Sequence, residues 1–279
     1  MMVLLTRLGL VLVLALSPAL TAHADASDTR AVMVPESGTY SRTISTQSPD
    51  AQKFFDQGLR LAWGFYFPES IASYQQASLF DPDHPMPYWG IAHAAGPNPN
   101  SRYAQMPDDP QGAGLAAIEA ALARIDRATP MEAALIRALY VFYDAVSISD
   151  PGERDRAYLA QMRALNKKYP DDPDVSALYA GSFMSIRRWD YWDKRGQAKG
   201  ETLAVAEALE HVIRKGGVHP GVYHLHIHLI EASLEPERAM ISADALEATL
   251  PIGGHVVHMP ARIFVRVGDF QRAIDNNLR

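Results

Sequence analysis

The sequence repeats with a period of 34 residues, and this period constrains the fold more than any other feature. His224 is followed one period later by His258, and His228 is followed one period later by Arg262. A fixed period of this length is typical of stacked helix pairs, each of which buries its apolar face against the next pair. The period therefore predicts an all-α helical solenoid built from antiparallel helix pairs.

Individual positions agree with one class of helical repeat, the tetratricopeptide repeat. Gly58 is expected where the two helices of the first pair cross, Tyr74 should pack between them, and Pro82 ends the repeat. Ala92, one period after Gly58, takes the same small position in the next pair. We therefore expect residues 49–279 to form a tetratricopeptide-type solenoid of about five helix pairs.

The two ends of the chain carry signals of export and of truncation. Arg7 precedes a short apolar run that ends in small residues, which predicts a secretory signal peptide over residues 1–24 and a secreted or periplasmic protein. Residues 25–48 are rich in Ser, Thr and Pro, so we expect a flexible or extended lead-in. A helical pattern is still in progress at Arg279, which suggests truncation at the C-terminus or an end covered by another chain.

Charge and cysteine content exclude several classes of function. A net charge of −6 at pH 7 argues against nucleic acid or an anionic membrane surface as the partner. No stretch after the signal peptide is apolar enough to predict a membrane span. The absence of cysteine excludes disulfides, thiolate metal sites and thiol catalysis. A bound metal must use histidine, carboxylate or backbone oxygen, which suits zinc, copper or iron.

Several short motifs occur in order along residues 50–279. They are Trp89-Gly-Ile-Ala92, Gly96-Pro-Asn-Pro-Asn100, Thr129-Pro-Met-Glu132, Tyr169-Pro-Asp-Asp172, Trp189-Asp-Tyr-Trp192, His219-Pro-Gly221 and Gly254-His255-Val-Val-His258-Met-Pro260. In these motifs the chain resembles a family of bacterial exported tetratricopeptide proteins. The resemblance implies that the histidines of the last two repeats face a concave groove, and it implies no particular reaction. Arg262 stands where the family pattern has histidine, which would weaken or alter a metal site that used that position.

Helical spacing supports a metal site independently of the resemblance. His224, His228 and Glu231 are spaced i, i+4, i+7 and therefore share one helical face. Packed helices lie about 8–10 Å apart, so side chains from the next repeat can reach the same ion. The predicted ligands of a zinc, copper or iron ion are His224, His228, His255 and His258, with Glu231 as a fifth ligand or a catalytic base. Three histidines with an open position suit a catalytic centre, whereas four suit a closed one.

The sequence leaves three functions open. The preferred one is an exported scaffold that binds a ligand and has a metal site in its C-terminal repeats. The second is a metal-dependent enzyme, and the third is a metal-free adaptor that binds a protein or peptide in the groove. Standard hydrolase, zinc-protease and nucleotide-binding motifs are absent. Arginine beside the histidines would favour an anionic ligand and oppose a bound cation. The residues expected to line a ligand groove are Arg262, Arg266, His219, Trp89 and His93, although core packing is the simpler role for Trp89.

Overall fold

The computed structural model describes residues 31–104 and 109–278, so the signal peptide predicted over residues 1–24 lies outside the described residues. Within these ranges the chain forms α-helices and short 3-10 helices and no β-strand, which confirms the all-α prediction. None of the described helices is both long and apolar enough to span a membrane. The α-helices are α1 Pro49–Trp63, α2 Phe67–Phe80, α3 Pro85–Ala95, α4 Pro110–Leu122, α5 Pro130–Tyr143, α6 Pro151–Lys168, α7 Pro173–Arg187, α8 Thr202–Arg214, α9 Pro220–Ile230, α10 Met240–Leu246, α11 Gly254–Val267 and α12 Phe270–Asn277. The 3-10 helices are Ile125–Arg127, Pro236–Ala239 and Glu247–Thr249.

Many helices begin with proline in the first turn, after a residue whose side chain caps the helix. Thr129 accepts a hydrogen bond from the backbone N–H of Glu132, and the Glu132 carboxylate accepts one from the N–H of Thr129. This capping box confirms the predicted start of α5. Asp172 and His219 cap α7 and α9 with their own side chains. The cap at His219 fixes the start of the helix that carries two of the predicted metal ligands.

Helices adjacent in the chain pack on one another, and so do alternate helices. Helix α3 contacts both α1 and α5, helix α9 contacts both α7 and α11, and α1 also packs on α9. Close packing between α1, α2 and α3 depends on two glycines that face Tyr74. A Cβ atom at Gly58 would lie 2.8 Å from the Tyr74 ring, and one at Gly90 would lie 2.4 Å from it. This confirms the predicted contact of Gly58 with Tyr74. The contact between α1 and α9 brings α1 against the helix that carries His224 and His228.

Residues 31–48 form a strap that carries no helix and lies against the helical body. The Tyr40 hydroxyl donates a 2.6 Å hydrogen bond to Asp174 Oδ2, and Arg42 Nη1 donates to the same oxygen at 2.8 Å. The backbone N–H of Ser45 donates to Glu132 Oε1 at 2.8 Å. The sequence predicts a flexible or extended lead-in over residues 25–48. Composition did not predict these hydrogen bonds, which tie the strap to α5 and α7.

Candidate metal centre

Two of the predicted ligands lie one turn apart on α9, a helix that is buried along its whole length. The side chains of His224 and His228 are 0% and 3% exposed. A third histidine, His255, lies in the first turn of α11 and is partly exposed. Burying an imidazole costs free energy unless its nitrogens find partners. The partners of each nitrogen therefore indicate what the site can bind.

These three imidazoles converge on one point. Each offers a nitrogen that lies within 4.8 Å of the nitrogens of the other two. His224 Nε2 and His255 Nε2 are 3.0 Å apart. A tetrahedral ion with metal–nitrogen bonds of about 2.0–2.1 Å requires its nitrogens to be roughly 3.3–3.4 Å apart. The three nitrogens are therefore close enough for this group to hold one metal ion.

Hydrogen bonds on the Nδ1 atoms direct two Nε2 atoms of α9 toward the cluster, where that of His224 contacts His255 Nε2 and that of His228 has no partner. His224 Nδ1 lies 2.8 Å from the carbonyl oxygen of Trp63. Because a carbonyl only accepts, Nδ1 carries the proton and Nε2 carries a lone pair. His228 Nδ1 lies 3.3 Å from Glu231 Oε1, and its Nε2 is buried without a hydrogen-bond partner. Histidines that bind metals usually donate their second ring N–H to a carbonyl or carboxylate in this way. An ion would supply the interaction that His228 Nε2 lacks.

Burial keeps the three imidazoles neutral. It is the largest cause that lowers the pKa of His224 well below its usual value, and the neighbouring His228 and His255 lower it further. Burial also lowers the pKa of His255 to about 4. The pKa of His228 is lowered by burial too, although the nearby Glu231 carboxylate opposes the shift. Neutral imidazole is the form that binds metals, so the cluster is in the binding state near neutral pH.

Two aromatic residues flank the cluster, and both have a left-handed backbone. Phe65 has φ +65°, and its ring centroid lies 4.6 Å from that of His224 and 5.4 Å from that of His255. Trp189 has φ +64°, and its ring meets His228 edge-on at 4.8 Å. Bulky residues rarely adopt this backbone region, and strain of this kind concentrates at functional sites. The two rings cover the histidine cluster on two sides.

The fourth predicted ligand, His258, does not join the cluster. It is exposed and lies one turn after His255 on α11. Its Nδ1 is 2.5 Å from Asn277 Oδ1, on the last described helix. The group of mutually close nitrogens therefore contains three of the four predicted histidines, because His258 lies one turn farther along α11 and contacts Asn277 instead.

Glu231, predicted as a fifth ligand or a base, makes polar contacts with two other side chains. Arg262 forms an ion pair with its carboxylate, with Nη2 3.0 Å from Oε1, and His228 contacts the same oxygen. Burial raises the pKa of this carboxyl, but hydrogen bonds from His228 and Arg262 outweigh burial and lower it. Glu231 is therefore ionised near neutral pH, and its contacts orient His228 and hold Arg262.

The residues predicted to line a ligand groove do not form one surface. Trp89 is 1% exposed and belongs to the core, as its simpler role implied. His219 is 0% exposed, and its Nε2 lies 2.9 Å from Asp174 Oδ1. His93 is partly exposed and stacks on Trp89 with ring centroids 5.2 Å apart. Burial lowers the pKa of His93 to about 4, so its ring is neutral.

The two arginines of the predicted groove are exposed, and both are engaged. Arg262 pairs with Glu231, so a carboxylate compensates the charge that was expected to oppose a bound cation. Arg266 donates a 2.9 Å hydrogen bond to the carbonyl oxygen of Ser233. Neither guanidinium lacks a partner in the described part of the chain.

Sequence reasoning missed two residues that shape the site, Trp63 and Phe65. Both lie at the end of α1 or just after it, and they reach the cluster because α1 packs on α9. The aromatic residues concentrated around this turn were a visible signal, but the repeat period relates neighbouring repeats and does not reveal this long-range contact.

Comparison with known proteins identifies no family for this chain. No protein-family model matches the chain, and no curated protein matches it significantly. Membership of the exported tetratricopeptide family stays a prediction.

Proposed function

We propose that this chain is an exported tetratricopeptide-type binding protein that holds one divalent transition-metal ion with His224, His228 and His255. The observation that carries this proposal is the convergence of three neutral imidazoles, one of which has a buried Nε2 atom without a partner. Buried polar atoms usually have hydrogen-bond partners, so the unpartnered Nε2 atom of His228 supports a missing ligand at this point.

The fold part of the proposal is supported by period and packing. The 34-residue period, the contact of Gly58 with Tyr74 and the contacts between alternate helices are all features of stacked helix pairs. Export is supported by the signal-peptide pattern of residues 1–24.

The ligand set favours a particular class of ion. Three neutral imidazole nitrogens suit zinc, copper(II) or iron, whereas calcium and magnesium prefer oxygen ligands. Three protein ligands also leave at least one coordination position for water or for a ligand atom. The site is therefore suited to hold an ion that contacts a second molecule.

The test measures the metal content of residues 25–279 purified without a His tag. After reconstitution with zinc, copper or iron, we expect about one ion per chain by mass spectrometry, and none in His228→Ala. His211→Ala is the matched control, because His211 pairs with Asp171 at the surface and lies outside the cluster. His258→Ala should bind within about threefold of the parent, since metal affinity usually falls by 10–100-fold when a supporting residue matters.

Two results would contradict the proposal. One is the absence of metal in the parent after reconstitution with all three ions. The other is an equal loss in His211→Ala and His228→Ala, each shown to be folded by circular dichroism. If no ion binds, capture of a protein or peptide becomes the function to examine.

A metal-dependent enzyme is the second candidate, and the open coordination position favours it. In this arrangement the Arg262 ion pair holds Glu231 away from the role of a free base. Under the enzyme hypothesis Glu231→Gln abolishes turnover and retains the metal. Under the binding hypothesis it weakens metal binding, because His228 loses the carboxylate that orients it.

A further inference from the structure

A cleft with two lobes lies where α12 meets α10, α11 and the 3-10 helix Glu247–Thr249. One lobe has a volume of about 150 Å³ and the other a volume of about 260 Å³, and Glu247 and Asn276 line both of them. The three clustered histidines line neither lobe. Because an enclosed cavity of about 150 Å³ is large enough for a benzene molecule, each lobe has room for part of a small ligand.

Asn276 borders both lobes and has an acceptor without a partner. The residue is 6% exposed, and its Oδ1 atom is buried without a hydrogen-bond partner. Buried polar atoms usually have partners, because a buried oxygen that makes no hydrogen bond has lost its hydration without compensation. An N–H group of a ligand beside Asn276 would supply the hydrogen bond that this oxygen lacks.

The charged side chains of the smaller lobe leave an excess of negative charge. Asp244 forms an ion pair with Arg272, so these two charges cancel. Asp275 is exposed, and its Oδ1 accepts a 2.8 Å hydrogen bond from the neutral side-chain amide of Gln271. Glu247 adds a further negative charge and already has a partner of its own. The carboxylate of Asp275 therefore favours a cationic ligand over an anionic one.

The larger lobe has an apolar wall. Ile252 and Val257 line it and offer a surface to methylene groups. The polar side chains of His258 and Asn277 also line this lobe, and they contact each other, with His258 Nδ1 2.5 Å from Asn277 Oδ1. Since these two polar groups already have partners, the larger lobe suits a short carbon chain better than a second charged group.

We propose that this cleft binds a small aliphatic primary amine, with its ammonium group at Asn276 and Asp275 and its carbon chain against Ile252 and Val257. An ammonium group carries three N–H donors and a positive charge, so it matches both an unpartnered oxygen and a carboxylate. An alcohol of the same length has one donor and no charge, and a carboxylate is repelled by Asp275. Binding in the cleft does not require an ion in the histidine cluster, so it is independent of the proposed metal site.

Two substitutions test the acceptor and the charge separately. Asn276→Leu removes the amide and keeps the branched outline of the side chain, and replacing buried polar groups by apolar groups of the same shape can be nearly neutral for stability. Asp275→Asn removes the charge at an exposed position and keeps an oxygen for Gln271. Asp83→Asn is the matched control, because Asp83 is 74% exposed beside Arg127 and lies outside the cleft.

The assay measures butylamine binding by ligand-observed NMR and calorimetry on metal-free protein at neutral pH, where an alkylamine is a cation. Butylamine should bind saturably to the parent and to Asp83→Asn, with affinities within about twofold. Asn276→Leu should bind at least about tenfold more weakly, because it loses a hydrogen bond to a charged group. Asp275→Asn should bind about threefold more weakly, since an exposed charge contributes less, and this difference should disappear at about 1 M salt.

Three further probes define the ligand. Butanol and butyrate resemble butylamine in size, and each should bind at least about tenfold more weakly because it lacks the ammonium group. Lysine with both its amino and carboxyl ends capped carries the same ammonium group on a peptide backbone. It should bind more weakly than butylamine, and tighter binding would assign the cleft to lysine side chains of a protein and overturn the proposal of a free amine.

Three other results would also overturn the proposal. They are no saturable binding of butylamine to the parent at about 10 mM, equal affinity in the parent and Asn276→Leu, and butyrate binding as tightly as butylamine. Circular dichroism checks that each variant is folded. If Asn276→Leu fails to fold, Asp275→Asn decides the question, because its position is exposed; an unchanged affinity at low salt would then overturn the proposal. All measurements exclude metal, so failure of the histidine site cannot produce failure at this cleft.

Discussion

The substitution Asp174→Asn should destabilise the protein by about 3–5 kcal/mol. Asp174 is 1% exposed and accepts hydrogen bonds from Tyr40 at 2.6 Å and from Arg42 at 2.8 Å, and its other oxygen lies 2.9 Å from His219 Nε2. Removing one partner of a buried ion pair typically costs this much, because the remaining charge stays buried without compensation. We expect the lower end of the range, since Asp172 still pairs with Arg42.

The dependence of this effect on pH has a definite sign. Burial raises the pKa of Asp174, but Arg42, His219 and Tyr40 together lower it below its usual value. A carboxyl with a lowered pKa in the folded state stabilises the protein fully above its unfolded pKa of about 3.9. That contribution is lost as the pH falls through the acid range. The difference between the parent and Asp174→Asn should therefore be large at pH 7 and shrink progressively below about pH 4.

Urea unfolding and thermal unfolding, both followed by far-ultraviolet circular dichroism, measure this difference. A loss of about 3 kcal/mol should lower Tm by roughly 6–12 °C for a chain of this size. Asp190→Asn is the control, because Asp190 pairs with Lys199 at the surface and is 55% exposed. It should cost less than about 0.5 kcal/mol. A loss below about 1 kcal/mol in Asp174→Asn, or equal losses in both variants, would refute the assignment of a stabilising buried network.

Three further predictions concern the backbone, a helix start and pH. Phe65→Gly should be more stable than Phe65→Ala by about 1 kcal/mol in urea unfolding, because only glycine adopts φ +65° without strain. Equal stability of the two variants would contradict backbone strain at this position. Thr129→Ala should cost about 1 kcal/mol by the same assay, since it removes the capping box of α5, and no loss would mean that the cap is dispensable. Metal-free protein should lose stability as the pH falls from about 6.5 toward 4. Burial lowers the pKa of His224 and His255 in the folded state, whereas unfolded histidines titrate near 6.5. A free energy of unfolding that stays constant over this range would contradict the prediction.

The helices were predictable because their start signals are local. Thr129-Pro-Met-Glu132 contains a cap, a proline for the first turn and an acidic partner within four residues, and α5 begins there. The strap was predictable only as a segment without helix. The strap is held on the helical body by hydrogen bonds from Tyr40 and Arg42 to Asp174, which lies more than a hundred residues later in the chain. No local pattern reports such a pairing.

The walls of the site were less predictable than its ligands. Periodicity identified the α9 histidines because one helical turn separates them on a single face. Phe65 reaches the same cluster from the turn after α1, and its left-handed backbone is one that a bulky aromatic residue rarely adopts. Propensity rules predict against such a conformation, so strained residues at a site are hard to predict from sequence.

The set of three histidines follows from how α11 packs on α9. In the predicted repeat pattern, equivalent positions are 34 residues apart, which pairs His224 with His258. The contacts join residues 31 apart, since His224 meets His255 and Glu231 meets Arg262. The difference of three residues is close to one helical turn. This shift places His255 at the cluster and His258 away from it.

The same shift gives Arg262 its role. It places the guanidinium on the Glu231 carboxylate, which in turn contacts His228. Replacement of the expected histidine by arginine therefore leaves the three candidate ligands in place and compensates the charge of the carboxylate beside them. The 34-residue period predicts that α9 and α11 meet, whereas the choice of candidate ligands depends on a one-turn shift that only the packed structure reveals.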